Sequence, residues 1–147
     1  MKQYIIVIFI SISNIMYAAN DDILLETIGF LAASNVLITT NGMGAIWDSW
    51  ITDGYDNEEF EEFILFYQNL IVSTRENLNS LYRYGQLPHE DQETIVDLIE
   101  IYDALHDLSR TALKYSYTSK EIDQEAYYRA RIEALNKINI LFETDFE

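Results

Sequence analysis

The chain of 147 residues has no cysteine, one proline, five glycines and only nine lysines and arginines. Without cysteine there is no disulfide, no thiolate metal site, no thiol nucleophile and no lipid-bearing cysteine. The one proline, Pro88, leaves long stretches without an obligatory helix break. Scarce positive charge removes the electrostatic footprint of a nucleic-acid binder. Against 25 acids the nine bases leave a formal charge of -16, and no Lys/Arg cluster offsets it locally. Anionic lipid headgroups are repelled for the same reason. Apolar residues are plentiful at 49%, with 14% aromatics, which suffices for the core of one domain and argues against disorder.

Residues 1–19 read as a signal peptide. Met1-Lys2-Gln3 is a short positive start, and Tyr4 to Ile15 is an apolar run interrupted only by Ser11, Ser13 and Asn14. Ala18 and Ala19 follow as small residues before the polar Asn20-Asp21-Asp22, so cleavage is expected after Ala18 or Ala19. Met16 or Tyr17 stands where a small residue is usual before the cut, and retention as an anchor is the alternative. As a membrane span the run is short of the roughly 20 apolar residues required. The expected compartment is therefore outside the cytoplasm, periplasmic or extracellular, with residues 20–147 as a single helical-bundle domain.

Turn chemistry cuts that domain into four pieces, at Asp53-Gly54-Tyr55-Asp56, at Gly85-Gln86-Leu87-Pro88 and at Thr118-Ser119. Each piece has apolar residues at steps of three and four, the stripe of an amphipathic helix. The first, Asp22 to Thr52, has Leu24, Ile28, Leu31, Ile38, Ala45 and Ile46. The second, Asn57 to Tyr84, has Phe60, Phe63, Ile64, Tyr67, Leu70, Ile71, Leu78 and Leu81. In the third, His89 to Tyr117, the stripe is Ile95, Leu98, Ile99, Tyr102, Leu105, Ala112 and Leu113. In the fourth, Glu121 to Glu143, it is Tyr127, Ala130, Ala134, Leu135, Ile138, Leu141 and Phe142. Asp56 with Glu59, and Thr118 with Glu121, have the spacing of capping boxes. Matched helices of roughly 35 to 45 Å with short loops predict an all-α, up-down-up-down four-helix bundle. The first helix is uncharged from Thr27 to Trp47 and is expected to be the most buried. Its glycines, Gly29, Gly42 and Gly44, imply either close approach of a neighbour or a break near Asn41-Gly42-Met43-Gly44. Its polar residues make it a poor second membrane span.

No catalytic constellation emerges, and no cofactor or metal site is expected. His89 sits among acids at a helix start, where a solvated role fits. His106 has Asp103 one turn before it, which is half of a carboxylate-bridged di-iron site, but the other half is missing. Met43 and His106 fall at different heights in the bundle, which excludes haem ligation between them. The acids Asp53, Asp56, Glu58, Glu59, Glu61 and Glu62 lack the spacing of an EF-hand loop and read as a solvated helix start. There is no phosphate-cradling loop, nucleophile elbow or His-Glu-x-x-His motif.

One end of the predicted bundle is distinctive. It collects Trp47, Trp50, Tyr55, Phe60, Phe63, Tyr115, Tyr117, Tyr127 and Tyr128 from all four helices, beside the Asp53 to Glu62 acids. Trp47, Phe60, Phe63 and Tyr127 are expected to plug the core, and Trp50, Tyr55, Tyr115, Tyr117 and Tyr128 to form a recognition patch with Asp53, Asp56 and Glu58. The patch suits a protein partner with a basic surface. The sequence thus reads as an exported, non-enzymatic binding protein, in its concrete form an inhibitor or immunity-type protein. A small-ligand or metal carrier using His106, Asp103 and Asn35 is one alternative, and an assembly component is the other.

Overall fold

The computed structural model describes residues 21–85 and 87–144, with side chains from residue 27 onward. The expected signal peptide of residues 1–19 lies outside the described residues. Four helices account for the architecture: α1 (Asp21–Ile51), α2 (Asn57–Tyr84), α3 (His89–Thr118) and α4 (Glu121–Phe142). The chain is an all-α helical bundle, and the expected boundaries agree with the observed ones to within a residue or so.

The connections follow from local chemistry. Between α1 and α2, Asp53 takes a left-handed φ of 60°, which Asp tolerates better than most residues. The next residue, Gly54, donates to the Ser49 carbonyl at 2.7 Å, and a Cβ there would press on that same oxygen. α2 then starts with the expected capping box: Glu59 N donates to Asp56 Oδ1 at 2.9 Å, and Asp56 N donates to Glu59 Oε2 at 3.1 Å. The second expected box does not form. α4 is capped by Lys120 without a side-chain bond, because Ser119 must pass through the left-handed region to reverse the chain. Thr118 ends α3 instead, and its hydroxyl donates to Asp123 Oδ2 at 2.7 Å. Asp123 also receives Lys114 Nζ at 2.7 Å, so the α3–α4 corner is held by a buried carboxylate.

Two compact units divide α1: the first reaches Ser34 and the second spans Asn35–Glu147. In the first, Phe30 and Leu31 are exposed while Ala32 is buried. In the second, α2 packs along α3 and α3 along α4. The remainder of α1 reaches α2 through Gly42, whose missing side chain leaves room for the Tyr67 ring, and reaches α4 through Trp47 on Tyr127. α1 is helical through Asn41-Gly42-Met43-Gly44, so of the two expectations for the glycines, close approach holds at Gly42 and no break occurs.

The core corrects the sequence reading of α1. Its buried residues are Ala32, Val36, Thr39, Met43, Ile46 and Trp47; Leu31, Ile38 and Ala45 are exposed and Ile28 is half-buried. The side chain of Leu24 lies outside the described residues. Among the described side chains α1 is not the most buried helix either. That place belongs to α3, which buries nine residues including Leu98, Ile101, Tyr102, Leu105 and Leu108. A segment apolar on every side cannot signal by periodicity which side meets its neighbours; α3, with charge confined to one face, can.

A few polar contacts cross the core of the larger unit. Asn35 Nδ2 donates to Thr74 Oγ1 at 3.3 Å, Gln68 Nε2 donates to Ser109 Oγ at 3.1 Å, and Thr39 Oγ1 is buried without a hydrogen-bond partner. Burial raises the Tyr102 phenol well above the ordinary tyrosine range, with a hydrogen bond to Thr74 opposing it.

Candidate functional site

Of the nine rings expected at one end, six converge, Trp47, Trp50, Phe60, Tyr115, Tyr127 and Tyr128, whereas Tyr55 and Phe63 pair with each other and Tyr117 joins no ring contact. Trp47 stacks on Tyr127 with centroids 3.4 Å apart and planes 9° from parallel. Trp50 approaches Trp47 edge-on at 5.5 Å, stacks on Phe60 at 4.4 Å and meets Tyr115 at 5.7 Å. Tyr128 joins through Tyr127 at 5.5 Å. Helix periodicity explains the convergence: Trp47 and Trp50 are one turn apart on α1, and Phe60 lies one turn into α2, directly across a short connection. Trp47, Phe60 and Tyr127 are sealed from water, as plugs of the core.

Exposure then divides the candidates. Tyr117 is 66% exposed and Tyr128 40%, whereas Trp50, Tyr55 and Tyr115 are half-buried. Trp50 keeps its indole N–H at the surface and donates to Asn57 Oδ1 at 2.9 Å. Phe63 departs from expectation. It is 40% exposed and lies 5.1 Å from the Tyr55 ring, forming a second, outer pair. Only Phe60 and Ile64 can face inward at this point of α2, and Phe63 falls on the flank between them and the solvent.

The acids Asp53, Asp56 and Glu58 are all exposed around these rings. Asp56 is engaged as the α2 cap, so its free oxygen and the unengaged Glu58 and Asp53 carboxylates set the outward potential. Two residues outside the expected patch, Glu61 from the acidic helix start and Asn57, belong to the same surface. Glu61, at the start of α2, lies near enough to the Tyr117 hydroxyl at the end of α3 to raise that phenol above its ordinary range. Asn57 fixes the Trp50 indole. Neither has a sequence signal, because both act across a turn whose geometry composition does not encode. Burial likewise raises the Tyr127 phenol, with Arg131 opposing and Asp48 reinforcing the shift.

The other candidates are not brought together. Asp103 is held by Arg75 at 2.7 Å on α2, and Asn35 is bonded to Thr74. His106 is half-buried, and its carbonyl accepts the Ser109 hydroxyl at 2.7 Å. Among the described residues no three potential metal ligands cluster, and no helix is long and apolar enough to cross a membrane.

No family model matches the chain, and no curated protein or solved structure matches it.

Proposed function

We propose that the chain is an exported, non-enzymatic binding protein, an up-down-up-down four-helix bundle whose aromatic, acidic end captures a protein with a basic surface. An inhibitor or immunity-type role is its concrete form. The observation that carries this reading is the half-open ring cluster around Trp50, continued by exposed Tyr117 and Tyr128 and edged by Asp53 and Glu58. Rigid rings with polar tips are the side chains that dominate protein affinity, and a formal charge of -16 accelerates encounter with a cationic partner. Export rests on the Met1 to Ala19 pattern.

The purified protein should bind a basic exported enzyme of its host, inhibit it, and release it as salt rises from about 50 to about 500 mM. Trp50→Ala should weaken that complex by about tenfold or more without changing the salt slope, whereas Glu58→Lys should reduce the slope. Binding that ignores salt and survives both substitutions overturns the reading.

A further inference from the structure

A cleft of about 280 Å³ opens between α1 and α4. Leu37 and Leu135 form its apolar side, with Ile138 buried behind them, and Asn41, Asp48 and Arg131 contribute polar atoms. Gly44 also lines it. A Cβ placed there would meet nothing nearer than Arg131 Nη2 at 3.9 Å, so the missing side chain leaves open space beneath the guanidinium. The volume lies just under the range of small-molecule sites, about 300 to 1,000 Å³, and suits a molecule the size of one amino acid.

Arg131 is unusual within this chain. Arg75 and Lys137 are half-buried as it is, and each is paired with a carboxylate, Asp103 at 2.7 Å and Glu100 at 2.8 Å. No carboxylate among the described residues lies within ion-pair distance of Arg131, although acids outnumber bases 25 to nine. Its guanidinium carries five donors, and the one group it acts on, the Tyr127 phenol, is neutral. The remaining fork suits a carboxylate bound through paired charge-assisted hydrogen bonds. Asp48 is exposed and lines the same cleft as Arg131, so the two opposite charges face one space.

We propose that this cleft binds a small zwitterion with an apolar body, of the class of large aliphatic α-amino acids. Its carboxylate is taken by Arg131, its ammonium by Asp48, and its side chain by Leu37 and Leu135. Overall charge is consistent with this choice: a simple anion is repelled by the long-range field of a strongly acidic protein, whereas a neutral zwitterion feels only the two local charges. Trp50, Tyr55 and Glu58 do not line the cleft, which meets the aromatic end only through Tyr127, stacked on Trp47.

L-leucine titrated into the purified protein, followed by calorimetry and by NMR shifts of the Gly44 amide, tests the proposal. Saturable binding is expected at up to about 10 mM, where a millimolar site is largely filled. The analogues 4-methylpentanoate, lacking the ammonium, and 3-methylbutylamine, lacking the carboxylate, should each bind at least about tenfold more weakly. Arg131→Gln should abolish leucine binding while the circular dichroism melt remains cooperative. If that variant unfolds, Gly44→Leu, which fills the cleft with Arg131 intact, should abolish it instead. Asp48→Asn should weaken leucine without weakening 4-methylpentanoate, whose anion loses a nearby repulsion. No saturable shift with leucine, equal affinity for the amine, or leucine binding retained in Gly44→Leu overturns the proposal.

Discussion

Helices α1 and α3 are nearly equal in length, 31 and 30 residues, and opposite in chemistry. α1 has no charge from Thr27 to Trp47, yet leaves Phe30, Ile38 and Ile51 exposed at 72%, 63% and 48%. α3 carries acids and bases along its length, yet supplies the largest share of the buried residues. Position decides burial: α3 packs against both α2 and α4, while from Asn35 onward a single stripe of α1, Val36, Thr39, Met43, Ile46 and Trp47, is buried. Mean hydropathy of a segment therefore says little about which helix forms the centre. The phase of its apolar pattern against a charged face says much more.

The sharpest way to break this contrast is by truncation. Leu105→Ala, on α3 and without exposed surface, should cost about 2–5 kcal/mol in urea unfolding. Ile38→Ala, although it removes a side chain of the same volume, should stay within about 0.5 kcal/mol of the parent. Equal losses would show that α1 is covered on its outer side in solution. Helix starts provide a second contrast. Asp56→Ala removes the reciprocal cap of α2 and should cost about 1 kcal/mol, within the range of 0.5–2. Within α1 itself, Thr39→Val replaces a buried hydroxyl that has no partner with a methyl group of similar shape. It should stabilise the protein by up to about 1 kcal/mol. The smallest gain belongs to Gly44→Ala, about 0.5–1 kcal/mol from helix propensity with only ordinary contact at Arg131. Gly42→Ala should forfeit that gain, because its new methyl group displaces the Tyr67 hydroxyl.

The α3–α4 corner adds a test in pH. Hydrogen bonds from Lys114 and then Thr118 hold the Asp123 carboxyl below its ordinary range, against the effect of burial. A carboxyl whose folded pKa is depressed contributes stability that is complete above its unfolded pKa, about 3.9, and is lost as pH falls through the folded value. Asp123→Asn should therefore lower stability at neutral pH and flatten the decline below about pH 4, as read from melting temperatures across that range.

Four helices and their ends were legible because turn residues and capping chemistry act locally: Asp56 with Glu59 forms the cap that its spacing announces. Convergence of the rings was legible too, since short connections place Trp50 beside Phe60 whatever the packing of the rest. What escaped depends on distant chain. The inward stripe of α1, Val36-Thr39-Met43-Trp47, is selected by the surface it meets, and a uniformly apolar segment offers no contrast from which to infer it. Phe63 faces out although it sits in a perfect three-four pattern, because the pattern is wider than the buried face. The cleft beside Arg131 had no signal at all. It exists because Gly44 and an arginine on another helix happen to face each other, and neither is informative alone.

The stack of Trp47 on Tyr127 also has a consequence in time. α2 can close on α3, and α3 on α4, through turns of a few residues, whereas α1 and α4 meet only after the whole intervening chain is in place. The indole and the phenol should then come together late, after the barrier to folding. Removing either should hasten unfolding in stopped-flow experiments while the refolding arm stays almost where it was, so that this one pair of rings acts as the latch on the lifetime of the folded state.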